Sequence, residues 1–223
     1  MKPLKAVSAV HGRCVYGGRV ARLASAVGDL CPDGPQTILD IGCGDGRIAK
    51  VLSGRLGDGC DISGIDVLVR DSAEIPVTQY DGRTIPFGDD SFDTVLLIDV
   101  LHHTGAPAAL LTEAARVACG CVIVKDHLCE SRTDKWLLSF MDWVGNRPHG
   151  VAIEYNYLSA AEWDDCIASA GLVREYQTTD VKLYPRPLSV VFERRMHVLM
   201  KLVAAAGSDI DTEIQSLRER RKA

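Results

Sequence analysis

Thr37-Ile38-Leu39-Asp40-Ile41-Gly42-Cys43-Gly44-Asp45-Gly46-Arg47-Ile48-Ala49 is the stretch that decides how this chain folds. A short apolar run rises to an acid, glycines then take every second position, and helix-compatible residues resume at Arg47. The pattern predicts a strand, a tight turn and a helix. Glycine lets the backbone pass close to a ligand with no Cβ in the way. The unpaired N–H groups of the new helix point into the same turn. A nicotinamide-dinucleotide fingerprint would need glycine where Arg47 stands, so the motif is D-x-G-x-G-x-G and not G-x-G-x-x-G.

Working outward, Pro32-Asp33-Gly34-Pro35 is a turn ahead of the first strand, Gln36–Ile41, and Arg47–Leu56 is the first helix. Cys60–Asp66 reads as strand two. Its terminal acid lies 24 residues past Gly42, where a doubly wound fold places a ribose-binding carboxylate. Val77–Tyr80 is a short third strand and Thr94–Ile98 an apolar fourth, suited to burial on both faces. A helix over Ala106–Ala118 and a fifth strand over Gly120–Lys125 come next. Alternating β and α elements imply a parallel sheet with right-handed crossovers.

Asp40 to Gly46 resembles the first motif of the class I S-adenosylmethionine-dependent methyltransferases, most closely the small-molecule branch that includes the ubiquinone/menaquinone methylases. The run Arg83–Phe87 with Asp89-Asp90-Ser91-Phe92-Asp93 is similar to a segment common in that branch. The resemblance implies an α/β, Rossmann-like, doubly wound seven-stranded sheet, mostly parallel, with a C-terminal antiparallel hairpin. It implies S-adenosyl-L-methionine as cofactor and S-adenosyl-L-homocysteine as product. It places the cofactor against Asp40, Gly42, Cys43, Gly44, Gly46, Asp66, Asp81, Gly82, Asp99 and Val100. Asp81 then accepts the adenine amino group, and Asp99 orients the methionine moiety or a neighbouring loop.

At 223 residues and 47% hydrophobic, the chain is expected to form one domain, 1–223. Its parts are an N-terminal helical extension (1–35), a cofactor core (36–127), a substrate lid (128–158), a helix and hairpin (159–200) and a frayed tail (209–223). The net charge of −5 argues against a general nucleic-acid binder. DNA and RNA amino-methylases of the resembled fold usually carry an Asn/Asp-Pro-Pro-Tyr-like motif after strand four, and Asp99-Val100-Leu101-His102 stands there instead. No apolar run is long enough to span a bilayer, and the N-terminus lacks a signal-peptide core, so a cytoplasmic protein is expected. The eight cysteines contain no C-x-x-C pair. Every charge from Lys2 to Arg22 is positive. That basic stretch is read either as a solvated face, as a helix covering the cofactor pocket, or as a peripheral membrane contact. The oligomeric state is left open.

The chemistry should lie at the carboxyl ends of strands four and five. His102, His103, Asp126 and His127 are the candidate catalytic groups there, because a hydroxyl acceptor must lose a proton and imidazole titrates near neutrality. No ligand spacing among them marks a metal site, and none is expected. Trp136, Phe140, Met141 and Trp143 fall at helical spacing, read as core. Asp142 to Gly150 is read as a broken, polar lid, with Trp143, Asn146, His149, Tyr155 and Tyr157 lining the acceptor pocket. Ser159 and Glu162 predict a capping box for a helix over Ala160–Ala170. The hairpin is expected to pair Val173–Val181 with Ser189–Arg194. The expected activity is methyl transfer to oxygen, carbon or nitrogen of a small molecule. The competing readings are a cofactor-binding protein without transfer, and an enzyme using the same cofactor for a non-methylating reaction.

Overall fold

The computed structural model describes residues 17–146, 155–184, 189 and 195–205. In chain order the elements are α1 (Gly17–Gly28), β1 (Gln36–Ile41), α2 (Arg47–Leu56), β2 (Cys60–Asp66), β3 (Val77–Gln79), β4 (Phe92–Ile98), α3 (Pro107–Val117), β5 (Ala118–His127), α4 (Arg132–Asn146), α5 (Ala160–Ser169), β6 (Leu172–Thr178) and β7 (His197–Ala204). They form one seven-stranded sheet in the order β3-β2-β1-β4-β5-β7-β6. Strands β1 to β5 are parallel, and β7 runs antiparallel to both β5 and β6.

Strand alternation builds the three layers. In β4, Val95 and Leu97 join Leu39, Ile41, α3 and α5 on one face. Leu96 and Ile98 join Ile38, α1 and α2 on the other. Both faces are covered, which is why β4 and β5 are almost unbroken apolar runs. Chain direction switches between β1, which leads to β2, and β4, which leads to β5. A crevice therefore opens at the carboxyl ends of β1 and β4.

Several expectations move. The hairpin's second arm is His197–Ala204 and not Ser189–Arg194, of which only Ser189 is described. The pairing strand lies between β5 and β6, and its run Val198-Leu199-Met200, with Leu202, is buried on both faces. The stretch from Asp142 to Asn146 is not broken but is the last part of α4. Trp136, Phe140 and Trp143 are not core. They stack along the outside of α4, 68%, 47% and 47% exposed, while Leu138 is the residue that packs inward with Tyr157 and Met196. The basic N-terminal helix is described from Gly17, and its arginines reach inward. Arg22 donates to the Leu183 carbonyl at 3.1 Å. Ser159 and Glu162 form the expected capping box. The side chain of Asn146, His149 and the tail 209–223 lie outside the described residues.

Candidate active site

Gly42, Gly44 and Gly46 all adopt left-handed backbone, φ +67°, +60° and +72°. A Cβ on Gly42 would meet Val100 at 2.7 Å, and one on Gly46 would meet Ile75 at 2.6 Å. One on Gly44 would meet nothing within 4 Å. The outer glycines are thus locked by packing, while the middle one fronts open space. The turn is tied to β2: Gly42 N–H donates to the Ile65 carbonyl at 2.8 Å and Gly44 N–H to Asp66 Oδ2 at 2.8 Å. Asp66 Oδ1 accepts from Leu68 N–H at 2.9 Å. Beside it, buried Asp40 has its carboxyl raised to about 7, by desolvation and then by the charge of Asp66. Asp81 Oδ1 accepts from the N–H groups of Arg83 and Thr84, both at 2.8 Å, closing an exposed turn with Gly82 at φ +78°. Those bonds hold the Asp81 carboxyl below its usual range.

Across the crevice, Asp99 takes a left-handed φ of +57°, uncommon outside glycine, and its N–H donates to the Lys125 carbonyl at 2.7 Å. Its carboxylate pairs with Lys125 Nζ and Arg19 Nη2. Burial pushes this carboxyl up, but Lys125 and then Arg19 override it and hold it well below the carboxylate range. Lys125 is fully buried, and desolvation lowers its pKa against the attraction of Asp99.

Behind this ion pair lies a histidine cluster. Asp126 Oδ2 accepts from Leu101 N–H at 2.9 Å and Oδ1 from His127 N–H at 2.7 Å. Oδ1 also lies 2.6 Å from His102 Nδ1. His102 Nε2 lies 3.3 Å from Asp142 Oδ2 on α4, and the Tyr157 hydroxyl donates to that same carboxylate oxygen. Tyr157 stacks on the His102 ring at 5.6 Å. The rings of His103 and His127 lie 3.9 and 4.6 Å from that of His102, and His197 lies 5.1 Å beyond His127. Burial disfavours charge on His102, yet Asp126 and then Asp142 raise its pKa to about 10. Burial, and then the neighbouring charge of His102, lower His103. Burial, Lys125 and His102 leave His127 well below the imidazole range. Within the cluster the charged form is favoured on His102 and disfavoured on His103 and His127.

The four predicted catalytic residues are therefore brought together, but they are not equivalent. Asp126 and Asp142 favour the charged form of His102, which makes it a poor base. His103 is neutral, with an Nδ1 that has no hydrogen-bond partner among the described residues. Of the residues expected to line an acceptor pocket, Tyr157 is buried in the cluster, Tyr155 stands beside it, 36% exposed, and Trp143 lies on the outer aromatic ladder. Sequence reasoning named neither Arg19, Lys125 nor Asp142 as site residues, and missed His197 altogether. Lys125 carried a usable signal, a cation that directly follows the apolar run Val122-Ile123-Val124 in a strand buried on both faces. The other three arrive from distant elements.

Residues 39–120 match the family model described as a methyltransferase domain. "Probable tRNA methyltransferase 9B" of Mus musculus is 38% identical over 66 residues, 30% of this chain and 15% of that protein. The ubiquinone/menaquinone biosynthesis C-methyltransferase UbiE of Cupriavidus metallidurans is 29% identical over 142 residues, 56% of this chain and 58% of that protein. The chain thus spans less than two thirds of the length of either relative. A methyltransferase solved in complex with the Trm112 methyltransferase activator of Haloferax volcanii superposes with a TM-score of 0.64 at 19% identity, over 90% of this chain and 96% of that one. With the glycine turn and the sheet order, these findings make residues 39–120 similar to a methyltransferase domain and give the chain the fold of the class I S-adenosylmethionine-dependent methyltransferases. Within that class the chain resembles the UbiE enzymes.

Proposed function

We propose that this chain transfers a methyl group from S-adenosylmethionine to a small-molecule acceptor. The observation that carries the reading is the facing of two halves across one crevice, an open glycine turn on one side and a buried histidine–aspartate cluster on the other. The residues of the first half fit the cofactor. Gly44 leaves space where a side chain would intrude, and Asp40 is a buried carboxylate lacking a cation among the described residues, which a positively charged ligand would satisfy. Asp66 is read as the ribose carboxylate, its remaining lone pairs free to accept the two hydroxyls. Asp81 and Gly82 are read as the adenine-side turn, and Cys43, Asp99 and Val100 as the floor beneath the methionine part. The bound cofactor supplies a methyl group already activated on a sulfonium.

The chain's own contribution is to hold the acceptor and remove its proton. His103 is read as the base, since it is neutral beside a fixed positive charge. His102, clamped between Asp126 and Asp142, positions it. His127 and Tyr157 wall off water. Burial of this cluster favours an acceptor that enters as a small group. The whole is read as one domain, 1–223, acting in the cytoplasm, with 128–158 as its lid; among the described residues no helix is long and apolar enough to cross a membrane.

A second reading comes from the tRNA-methyltransferase similarity and the likeness to a Trm112-bound enzyme. It gives the chain a nucleic-acid acceptor and an activator subunit; the net charge of −5 weighs against it. Purified protein would be incubated with isotopically labelled cofactor and either a small-molecule extract or total tRNA. Label appearing in a small product supports the first reading, and label in tRNA replaces it. Cofactor binding with no S-adenosylhomocysteine formed from either pool returns the chain to a binding role.

A further inference from the structure

His102, His103 and Asp142 bring one ligand atom each within 4.8 Å of one another. The separation of His102 Nε2 from Asp142 Oδ2, 3.3 Å, is that of two ligands sharing one tetrahedral ion at bond lengths of about 2.0–2.1 Å. That pair is not aligned as a hydrogen bond. His102 Nε2, on a side chain 2% exposed, has no hydrogen-bond partner among the described residues, and neither has His103 Nδ1. Both are buried nitrogens, which costs free energy unless something satisfies them.

The surroundings of His102 match those of a metal ligand. Its Nδ1 faces Asp126 Oδ1 at 2.6 Å, and Asp126 is itself fixed by two backbone N–H groups. A carboxylate–histidine–metal chain has this order, the carboxylate setting the tautomer so that Nε2 presents its lone pair. Asp142 is likewise held, by the Tyr157 hydroxyl. The second possible set, His102, Asp126 and His127, lacks this logic. There the 2.6 Å contact is already a hydrogen bond and leaves no room for an ion between the two atoms.

The geometry points to a divalent transition-metal site of the Zn²⁺ kind, formed by His102 Nε2, His103 and Asp142 with Asp126 as the outer carboxylate. Two imidazoles and one carboxylate with a fourth position open are the donor set of a catalytic zinc. Resting on the methyl-transfer reading, the ion's task would be to bind the acceptor's oxygen and lower its pKa, doing by Lewis acidity what His103 does as a base when the site is empty. To ligate, His102 Nε2 gives up to solvent the proton that Asp142 otherwise favours there, so ion and proton exclude each other at that nitrogen.

The test uses the full chain, stripped with chelator, with neither cofactor nor acceptor present. It is titrated with Co²⁺ and with Zn²⁺, and bound metal is counted after gel filtration. The expected result is one ion per chain and a visible Co²⁺ d–d spectrum of four-coordinate nitrogen and oxygen donors. His103→Ala and Asp142→Asn should each weaken binding by at least about tenfold. Asp142 also supports Tyr157, so circular dichroism accompanies both variants, and His103→Ala decides if Asp142→Asn does not fold. Three outcomes overturn the proposal: no stoichiometric metal in the wild type, binding unchanged in folded His103→Ala, or a near-ultraviolet thiolate charge-transfer band assigning the ion to the cysteines. Binding is read without turnover, so its failure leaves the methyl-transfer reading standing, and absent turnover leaves the metal site standing.

Discussion

The two walls of the crevice are made of different materials. The glycine-side wall, proposed above to hold the cofactor, is mostly backbone: three left-handed glycines, the start of α2, and acids whose oxygens are spent partly on neighbouring N–H groups. The histidine-side wall, proposed above to face the acceptor, is almost all side chain, with imidazoles and carboxylates converging from the turn after β4, from β5, α4 and β7, and Tyr157 from the loop before α5. A backbone wall is specified by a contiguous motif and tolerates change between its glycines. A side-chain wall is specified by the fold as a whole, and each member's charge depends on the others. Losses on the first side should therefore appear as binding or stability, and losses on the second as rate.

The largest effect tests that division directly. His103→Ala should lower kcat by about 10²–10⁴-fold, the usual contribution of a positioned base, with cofactor affinity nearly unchanged. The residual rate should climb with pH as the acceptor ionises unaided. Loss of affinity in step with kcat would erase the distinction between the walls.

Next comes Asp40. Its folded pKa, about 7, lies above the ordinary 3.8, so the folded chain holds an extra proton between those values. The stability this confers is complete below about pH 4 and is lost as pH rises through about 7. Urea melts of the wild type should therefore lose up to about 4 kcal/mol between about pH 4 and 8 that Asp40→Asn does not lose. Parallel pH profiles for the two proteins would show that Asp40 is not desolvated.

Gly46→Ala should cost about 2–4 kcal/mol, combining left-handed strain with the contact to Ile75, whereas Gly44→Ala should cost only the strain, about 1–2 kcal/mol. Gly44→Ala should still be the one that impairs cofactor binding. If the order of stability losses reverses, the packing of the turn is misread.

The smallest expected effect is that of Asp66→Ala, a drop in cofactor affinity of about tenfold or somewhat more. Because Asp66 also accepts from Gly44 and Leu68, the apoprotein should melt lower as well, a cost the sequence could not disclose. Calorimetry with S-adenosylhomocysteine and a thermal melt separate the two.

Legibility in the sequence divides along the same line. The strand–turn–helix at Asp40–Gly46 and the acid closing β2 were legible because neighbours in sequence are neighbours in space. His102 and His103 were legible as a pair for that reason too. That one is charged and the other neutral was not, since the difference is made by Asp126 and by Asp142, which comes from an α-helix read as a broken loop. Arg19 was hidden among basic residues whose neutral alternative was a solvated face, until Asp99 supplied a partner eighty residues away. The aromatic spacing on α4 misled for the opposite reason. Periodicity identifies the stripe as one face of a helix, but not whether that face looks inward.

Strand β7 carries a consequence for the order in which the molecule is made. It fills the gap between β5 and β6, with His197 registered directly against His127. Seventy residues of chain must be synthesised after His127 before the edge of β5 finds its neighbour. Until then a long apolar strand stands with one row of N–H and C=O groups unpaired, the kind of edge on which nascent chains stick to each other. Closing that span is a non-local, slow contact compared with those inside β1–α2–β2. The glycine-side wall is therefore ready on the emerging chain well before the histidine-side wall. A ribosome-stalled chain ending before β7 should be able to close its glycine turn while still lacking the imidazole that finishes the cluster.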